Sequence, residues 1–328
     1  MPLIILLLLA LLTSPLSTRA AGPEFQTDWQ PNEYRITCKS SGCILDQEDQ
    51  QYVIDMLKTA VTDFRKTPFR TPTWWATRRM DPSSGKEYME LLDTGENNDA
   101  SVGCTPDQSS ARGAITKAEM SVGGKFEYLR DYGAHHMSYS NLMHEVFHLS
   151  QYEYPFWDQT RCAEFGGVPG WLSESTAQAF GIHRMIRKYP SNWPPKRSES
   201  EAIELAGLRR YDKPLLLRIK DADGNEVKSG NPEFYRTHGF WRHVAEVHHG
   251  GKIDYLDRYM KRPQPAGGAW ISWLQGNTQK VTGLPLGIVY SGFLADYAGW
   301  GDRGHAGQLL GRKKWLTGAF RGCKTIYL

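Results

Sequence analysis

The segment 140–151 constrains this chain more than any other, because it contains His-Glu-x-x-His, with His144 and His148 four residues apart. On an α-helix this spacing places both imidazoles on one face, one turn apart, where both can bind one zinc ion. Glu145 follows the first histidine, where its carboxylate can take a proton from a water molecule that the zinc ion activates. The motif therefore predicts a helix that carries two metal ligands and a general base.

The residues around the motif predict how this helix is placed. Three apolar residues indicate a buried helix whose histidines face a cleft: Leu142, Val146 and Leu149. Three polar residues at the start of the run are candidate caps: Ser138, Ser140 and Asn141. His135 and His136 just precede the helix and are interpreted as loop residues, or as residues that support a ligand from behind, because the helical pair already provides two nitrogens.

A second element, 169–180, has the form W-L-x-E-x-x-A and predicts a helix start followed by an amphipathic run. Glu174 in this element can supply the third ligand of a catalytic zinc site, in which one position stays open for water. The sequence thus predicts zinc as the cofactor, held by His144, His148 and Glu174.

Taken together, the two elements His144-Glu145-x-x-His148 and Trp171-Leu172-Ser173-Glu174 resemble the gluzincin metallopeptidases, the clan that includes thermolysin and the leukotriene-hydrolase and aminopeptidase families. The resemblance implies an α+β fold with a thermolysin-like zincin active-site core and a mainly helical C-terminal lobe.

The chain departs from the clan's pattern at two points. Ser175 stands where W-L-x-E-G usually has glycine, which exchanges one small residue for another. The gap from His148 to Glu174 is longer than in the best-known members, which implies an inserted loop at 152–169. This longer gap leaves Glu153 and Glu164 as competing third ligands.

The resemblance also implies a role for the strand before the metal helix, which in gluzincins borders the cleft and can pair with an extended substrate. Segment 113–121 would have this role. The aminopeptidase branch carries G-x-M-E-N there, and Gly113-Ala114-Ile115-Thr116-Lys117 does not match it. Endopeptidase action is therefore favoured over aminopeptidase action.

Further along the chain, 234–241 begins a helix that leads to Gly250-Gly251, which is similar to an aromatic-glycine helix and turn in the gluzincin C-terminal lobe. In the clan, a tyrosine or histidine of that helix hydrogen-bonds the oxyanion of the tetrahedral intermediate. Tyr235 and His238 are rival candidates for this role.

The remaining pattern predicts the other elements. Helices are expected at 46–66, 171–188 and 288–297, the last of them buried; strands at 71–77, 86–92 and 113–122; and a loop at 96–112. The acidic run 221–226 is interpreted as a hairpin turn rather than a calcium loop, because Gly224 is fourth in the run and not sixth. His243, His248 and His249 are expected to be solvated.

The N-terminus predicts export. Residues 3–12 form an almost unbroken apolar run that is too short to span a bilayer, and a small-residue site ending at Ala20 follows it. The organisation expected is a signal peptide at 1–20, a catalytic core at 21–190 and a helical lobe at 191–328, in a secreted or periplasmic protein with no membrane span. A net charge of +3 implies neither nucleic acid nor an anionic membrane as a partner.

Export makes disulfides plausible. Cys38 and Cys43 could close a tight turn, whereas Cys104, Cys162 and Cys323 leave one cysteine unpaired whichever way they join.

The function predicted from the sequence is a secreted zinc metallopeptidase with a peptide or protein as substrate. Two other classes are considered. One is a zinc-containing but catalytically idle binding protein, against which the intact Glu145 argues. The other is a zinc hydrolase that acts on an ester or amide outside a peptide chain.

Overall fold

Among the residues that the structure describes, strands dominate before residue 123 and helices after it. The computed structural model describes residues 33–38, 42–71, 78–97, 99–106, 115–157, 167–190 and 238–297. Within these ranges the fold is α+β, with a mixed β-sheet followed by a mostly helical region.

The elements have the following bounds. The strands are β1 (Tyr34–Cys38), β2 (Arg78–Met80), β3 (Glu87–Asp93), β4 (Ser101–Pro106) and β5 (Ile115–Val122). The helices are α1 (Gln47–Phe64), α2 (Lys125–Asp131), α3 (His135–Gln151), α4 (Gly170–Lys188), α5 (His238–His248), α6 (Leu256–Met260), α7 (Trp270–Thr282) and α8 (Leu286–Tyr297). Two 3-10 turns, Ile253–Tyr255 and Ala266–Gly268, precede α6 and α7.

The sheet has five strands in the order β1-β3-β5-β4, with β2 paired to β3. β1 and β5 run parallel to β3, and β4 runs antiparallel to β5, with Val102 opposite Met120. The predictions of strands at 86–92 and 113–122 are confirmed by β3 and β5. The prediction of a loop at 96–112 is wrong, because β4 lies inside it. Gly103 and the surrounding small polar residues are typical of a loop, and the pairing with β5 stabilises a strand there.

Helix α1 agrees with its prediction. The Asp46 side chain accepts a hydrogen bond from the backbone N–H of Asp49 at 2.8 Å, which caps the first turn. The apolar stripe of α1 is buried: Val53, Leu57, Ala60, Val61 and Phe64. Tyr52 donates a hydrogen bond to the Ser138 hydroxyl at 2.9 Å and so joins α1 to α3.

The metal-motif helix α3 begins earlier than the candidate caps predict. It starts at His135, after Gly133 in the left-handed region (φ 63°) and the N-cap residue Ala134, which makes no side-chain capping bond. Ser138, Ser140 and Asn141 therefore lie inside the helix and not at its end. The two serines are buried and the asparagine is half-buried, so these small side chains let neighbouring elements approach α3 closely.

The tightest of these approaches is between α3 and α4. A Cβ atom on Gly181 would lie 2.6 Å from the backbone oxygen of Ser140, so only glycine fits at this point of α4. One position before it, the Phe180 ring stacks on Phe147 with ring centroids 4.5 Å apart. Phe69 and Phe64 add edge-to-face contacts to Phe180, which completes an aromatic core between α1, α3 and α4.

The C-terminal region packs against α4 through α5. The Trp241 indole N–H donates a hydrogen bond to the Ser175 hydroxyl at 2.7 Å, and both side chains are fully buried. The prediction of a helix at 288–297 is confirmed by α8, but the prediction that it is buried is wrong in part, because Ile288 is 59% exposed. His243 was expected to be solvated, and it is buried at 8% exposure.

The structure contains the Cys38–Cys43 disulfide that the spacing predicts. Segment 221–226, Cys162, Cys323 and the candidate signal peptide lie outside the described residues, as does most of the candidate strand 71–77. No helix among the described residues combines the length and the apolar character that a bilayer crossing requires.

Replacing Gly181 with alanine should push α4 away from α3, because the new methyl group would meet a backbone oxygen that cannot move alone. We expect Gly181→Ala to lower the free energy of unfolding by about 1–3 kcal/mol in chemical denaturation. Gly276→Ala is the matched control, since Gly276 is an exposed residue of α7 with open space around it. It should raise stability by about 0.5–1 kcal/mol. Equal effects of the two substitutions would contradict the close approach.

Ser175→Ala should leave the buried Trp241 N–H without its acceptor, at a cost of about 1–3 kcal/mol. Thr59→Ala serves as the control. Like the Ser175 hydroxyl, the Thr59 hydroxyl donates a hydrogen bond to a carbonyl one turn earlier on its helix. Thr59 is partly exposed, however, and within the described part of the chain it accepts no hydrogen bond from a buried donor. A thermal-unfolding comparison in which both variants behave like the parent would rule out this role for Ser175.

Candidate metal centre

The two histidines of the motif lie on the buried face of α3. His144 and His148 are 4% and 5% exposed, and their ring centroids are 4.6 Å apart. The spacing of four residues gives this arrangement, as the sequence predicts.

Glu174 reaches the same point from α4. It lies in the first turns of that helix, seven residues before Gly181, so the two residues face α3 from the same side of α4, two turns apart. The contact at Gly181 therefore sets the distance between the Glu174 carboxylate and the two imidazoles. Glu174 itself is 6% exposed.

Three atoms converge in the centre. Glu174 Oε2 lies 3.3 Å from His144 Nε2 and 3.3 Å from His148 Nε2, and the two Nε2 atoms are 2.9 Å apart. A tetrahedral ion with ligand bonds of about 2.0–2.1 Å has ligand atoms about 3.3 Å apart. The triangle thus has nearly the size that such an ion requires. Among the described residues, this is the one group of three His, Cys, Asp or Glu side chains that could hold a metal ion.

Without a metal ion, the charges of the triad depend on one another. Burial lowers the pKa of His144. Burial also acts to lower the pKa of His148, but the nearby Glu174 carboxylate outweighs it and raises that pKa to about 9. Burial opposes the charge of Glu174, yet the two histidines hold the pKa of its carboxyl far below the usual range. The metal-free centre at neutral pH is therefore a carboxylate paired with an imidazolium.

Glu145 lies beside the triad and does not join it. Its Oε1 is 3.9 Å from His144 Nε2, and the residue is 8% exposed. Burial raises the pKa of the Glu145 carboxyl to about 8, and a hydrogen bond from the backbone N–H of Val102 partly opposes that rise. The carboxyl is therefore poised to exchange a proton near neutral pH.

The contact with Val102 shows what borders Glu145. Val102 belongs to β4. Because its N–H bonds Glu145 on α3, this N–H points away from β5. One turn earlier on α3, the Asn141 side chain donates a hydrogen bond to Asp99 at 3.5 Å, just before β4 begins. The outer strand of the sheet thus lies along the Glu145 side of α3. The resemblance assigns the cleft to 113–121, and β4 is the strand that the structure brings to Glu145.

Tyr152 is a site residue that the sequence reasoning missed. It follows His148 by four residues and keeps helical backbone angles at the end of α3, so it continues the row of His144 and His148. Burial raises its pKa, and the negative charges of Glu145 and Glu174 raise it further. Its ring packs against Trp157 at 4.6 Å. The helical spacing alone would have identified it.

The other candidates do not join the triad. Glu153 lies in the turn after α3 and is not part of the metal-binding group. His135 lies in the first turn of α3, where its Nδ1 is 3.0 Å from the Tyr52 hydroxyl. His238 is buried at the start of α5, and its proposed catalytic role stays a prediction. Glu164 and Tyr235 lie outside the described residues.

Comparisons with known proteins do not assign this chain to a family. The chain matches no protein-family model, no curated protein and no solved structure. The candidate site therefore depends on its own residues and distances.

The metal affinity of this centre should depend on pH. With a pKa of about 9, His148 carries a proton at neutral pH in the metal-free protein, and an ion must displace it. Apparent affinity for a divalent ion should therefore rise with pH, by up to about tenfold per unit, and level off above the pKa. Calorimetry in buffers of different ionisation enthalpy should show proton release on binding at pH 7. An affinity that stays constant between pH 6 and 9 would contradict the protonation described here.

Proposed function

We propose that this chain is a secreted zinc metallopeptidase that cleaves peptide bonds, with endopeptidase action favoured. The observation that carries the proposal is the position of Glu145, a buried carboxyl beside a His-His-Glu triad and outside it. A site that only stored or bound an ion would not need a second carboxyl of this kind.

Zinc is the ion that the ligand set fits best. Two imidazole nitrogens and one carboxylate oxygen are a common set for a catalytic zinc, which takes three protein ligands and keeps a fourth position open. When bound, zinc would lower the pKa of a water molecule to about 7 and polarise the scissile carbonyl group.

Glu145 would act as the general base and then as the general acid. It would accept a proton from the attacking water and deliver that proton to the leaving amine. A dication beside the carboxyl favours its charged form, which offsets the effect of burial on its pKa. The Val102 N–H holds the carboxylate in place between these steps.

The outer edge of β4 supports a peptide as the substrate. Val102 gives its N–H to Glu145, and Cys104, two residues further along the same edge, presents its backbone groups away from β5. An extended chain could add to this edge as a further strand and so pass beside Glu145. A small ester or amide outside a peptide chain could not form a strand along this edge.

Tyr235 and His238 are the proposed donors to the oxyanion, as the resemblance implies. His238 lies one turn before Trp241, whose indole bonds the residue next to Glu174, so α5 begins close to the ligand-bearing turn of α4. Tyr152 is a further candidate donor, because the charges of Glu145 and Glu174 act on the pKa of its phenol.

Secretion is proposed from two features. The apolar run 3–12 and the small-residue site at Ala20 predict a cleaved signal peptide. The Cys38–Cys43 disulfide is consistent with an oxidising compartment, where such bonds persist.

Glu145→Gln should separate catalysis from metal binding. The substitution keeps the shape of the side chain and removes its charge, so the protein should fold and bind about one zinc ion per chain. Peptidase activity should fall by about 10³–10⁴-fold, because the attacking water has lost its proton acceptor. Activity against a diverse peptide library, read by mass spectrometry, and zinc content by elemental analysis are the measurements.

His144→Ala is the control for this experiment, since it should lose zinc and activity together. A Glu145→Gln protein that cleaves peptides as fast as its parent would refute the mechanism. A parent that binds zinc and cleaves no peptide, but hydrolyses esters, would replace the peptidase proposal with a different zinc hydrolase. A parent that binds zinc and hydrolyses neither would make the chain a binding protein.

A further inference from the structure

Gln151, the last residue of α3, connects the two helices that carry the candidate ligands. Its side chain has no exposed surface. Its amide contacts one of the motif histidines on its own helix and two residues that flank Glu174 on α4. Gln151 is therefore placed to act on the geometry of the whole triad.

The hydrogen bonds of the Gln151 amide use all of its donor and acceptor sites. Its Oε1 lies 2.8 Å from His148 Nδ1 and accepts from the Ser173 hydroxyl at 3.3 Å. Its Nε2 donates to the Ser173 backbone oxygen at 3.1 Å and to Thr176 Oγ1 at 2.8 Å. An amide has two acceptor sites and two donor hydrogens, and each has a partner here.

These partners fix which way the amide faces. The Ser173 backbone oxygen can only accept, so the NH₂ end must face it. The Thr176 hydroxyl donates to the Leu172 backbone oxygen at 2.6 Å, which leaves its lone pairs for the same NH₂ group. A flipped amide would place its oxygen against the Ser173 oxygen and lose both donor bonds.

The orientation of the amide in turn fixes which ring nitrogen of His148 keeps its hydrogen when an ion binds. Because Gln151 Oε1 can only accept, His148 Nδ1 must carry a hydrogen. The Nε2 atom is then the one available to an ion, and it is the atom that faces Glu174 at 3.3 Å. A ligand histidine commonly gains its orientation and basicity from such a partner.

We propose that Gln151 is the positioning residue of the metal centre. It holds His148 with Nε2 towards the ion, and it fixes the turn of α4 that presents Glu174. One side chain thereby sets the relation between a ligand on α3 and a ligand on α4 before any ion binds. This inference rests on the proposed metal site.

Gln178 provides an internal comparison. Its Oε1 lies 3.0 Å from His144 Nδ1, so it stands behind the other histidine in the same way. Gln178 is only half-buried, however, and among the described residues His144 is the one hydrogen-bond partner of its amide. Gln178 should therefore support one ligand, whereas Gln151 supports two.

The test compares Gln151→Met with Gln178→Met in the full chain. Both substitutions remove the amide and keep a side chain of similar length. Zinc affinity, measured by competition with a coloured chelator, should fall by about 10–100-fold in Gln151→Met. In Gln178→Met it should fall by no more than a few-fold. Equal losses, or a larger loss in Gln178→Met, would overturn the proposal.

Nitrogen-15 NMR of the zinc-loaded proteins gives a reading that mere destabilisation would not change. In the parent and in Gln178→Met, the His148 Nδ1–H should be visible and protected from solvent exchange. In Gln151→Met this protection should be lost. Its persistence in Gln151→Met would refute the assigned bond.

Thr176→Val covers the case in which Gln151→Met does not fold. It keeps the shape of the side chain and removes one of the two acceptors that orient the amide. A smaller loss of zinc affinity with faster exchange of the His148 Nδ1–H is expected, and no change in either would overturn the proposal. A parent protein that binds no zinc would instead refute the proposed metal site.

Discussion

The candidate site depends on one contact, the close approach of α3 and α4 at Gly181. Both helices bury their facing sides, and a single added Cβ would meet the Ser140 backbone at 2.6 Å. This approach brings the Glu174 carboxylate within 3.3 Å of both imidazoles. Burying two imidazoles and a carboxylate without partners would cost desolvation free energy, and here their mutual interactions offset that cost. The hydrophobic packing of Phe147 on Phe180 holds the helices at the distance that this compensation requires.

Sequence patterns predicted the parts of the site that depend on helical spacing. His144 and His148 were identified from their helical spacing and Glu174 from the W-L-x-E form of the second element, and the structure brings all three together. The same period also reaches Tyr152, which the motif does not include. Local periodicity therefore identified the two histidines, and Tyr152, the next residue of the same row, was overlooked.

Other features could not be read from local sequence. β4 contains Gly103 among small polar residues, and it is a strand because β5 pairs with it. The start of α3 was misplaced because serine and asparagine commonly cap helices, whereas here they permit contacts in its middle. The role of Gln151 depends on Ser173 and Thr176, which only the packing of α4 brings within reach. Each of these outcomes is set by a partner distant in the chain.

The bond from Trp241 to Ser175 has a consequence for how the chain could be divided. The sequence suggests a boundary near residue 190, between a catalytic core and a helical lobe. Yet the indole of Trp241 is fully buried against the residue next to Glu174, and Arg187 donates to the backbone oxygen of Gly251. A chain shortened to end at Lys188 would uncover the apolar back of α4 and leave the ligand-bearing turn unsupported. The two sides of this boundary therefore belong to one folding unit, and neither should fold without the other.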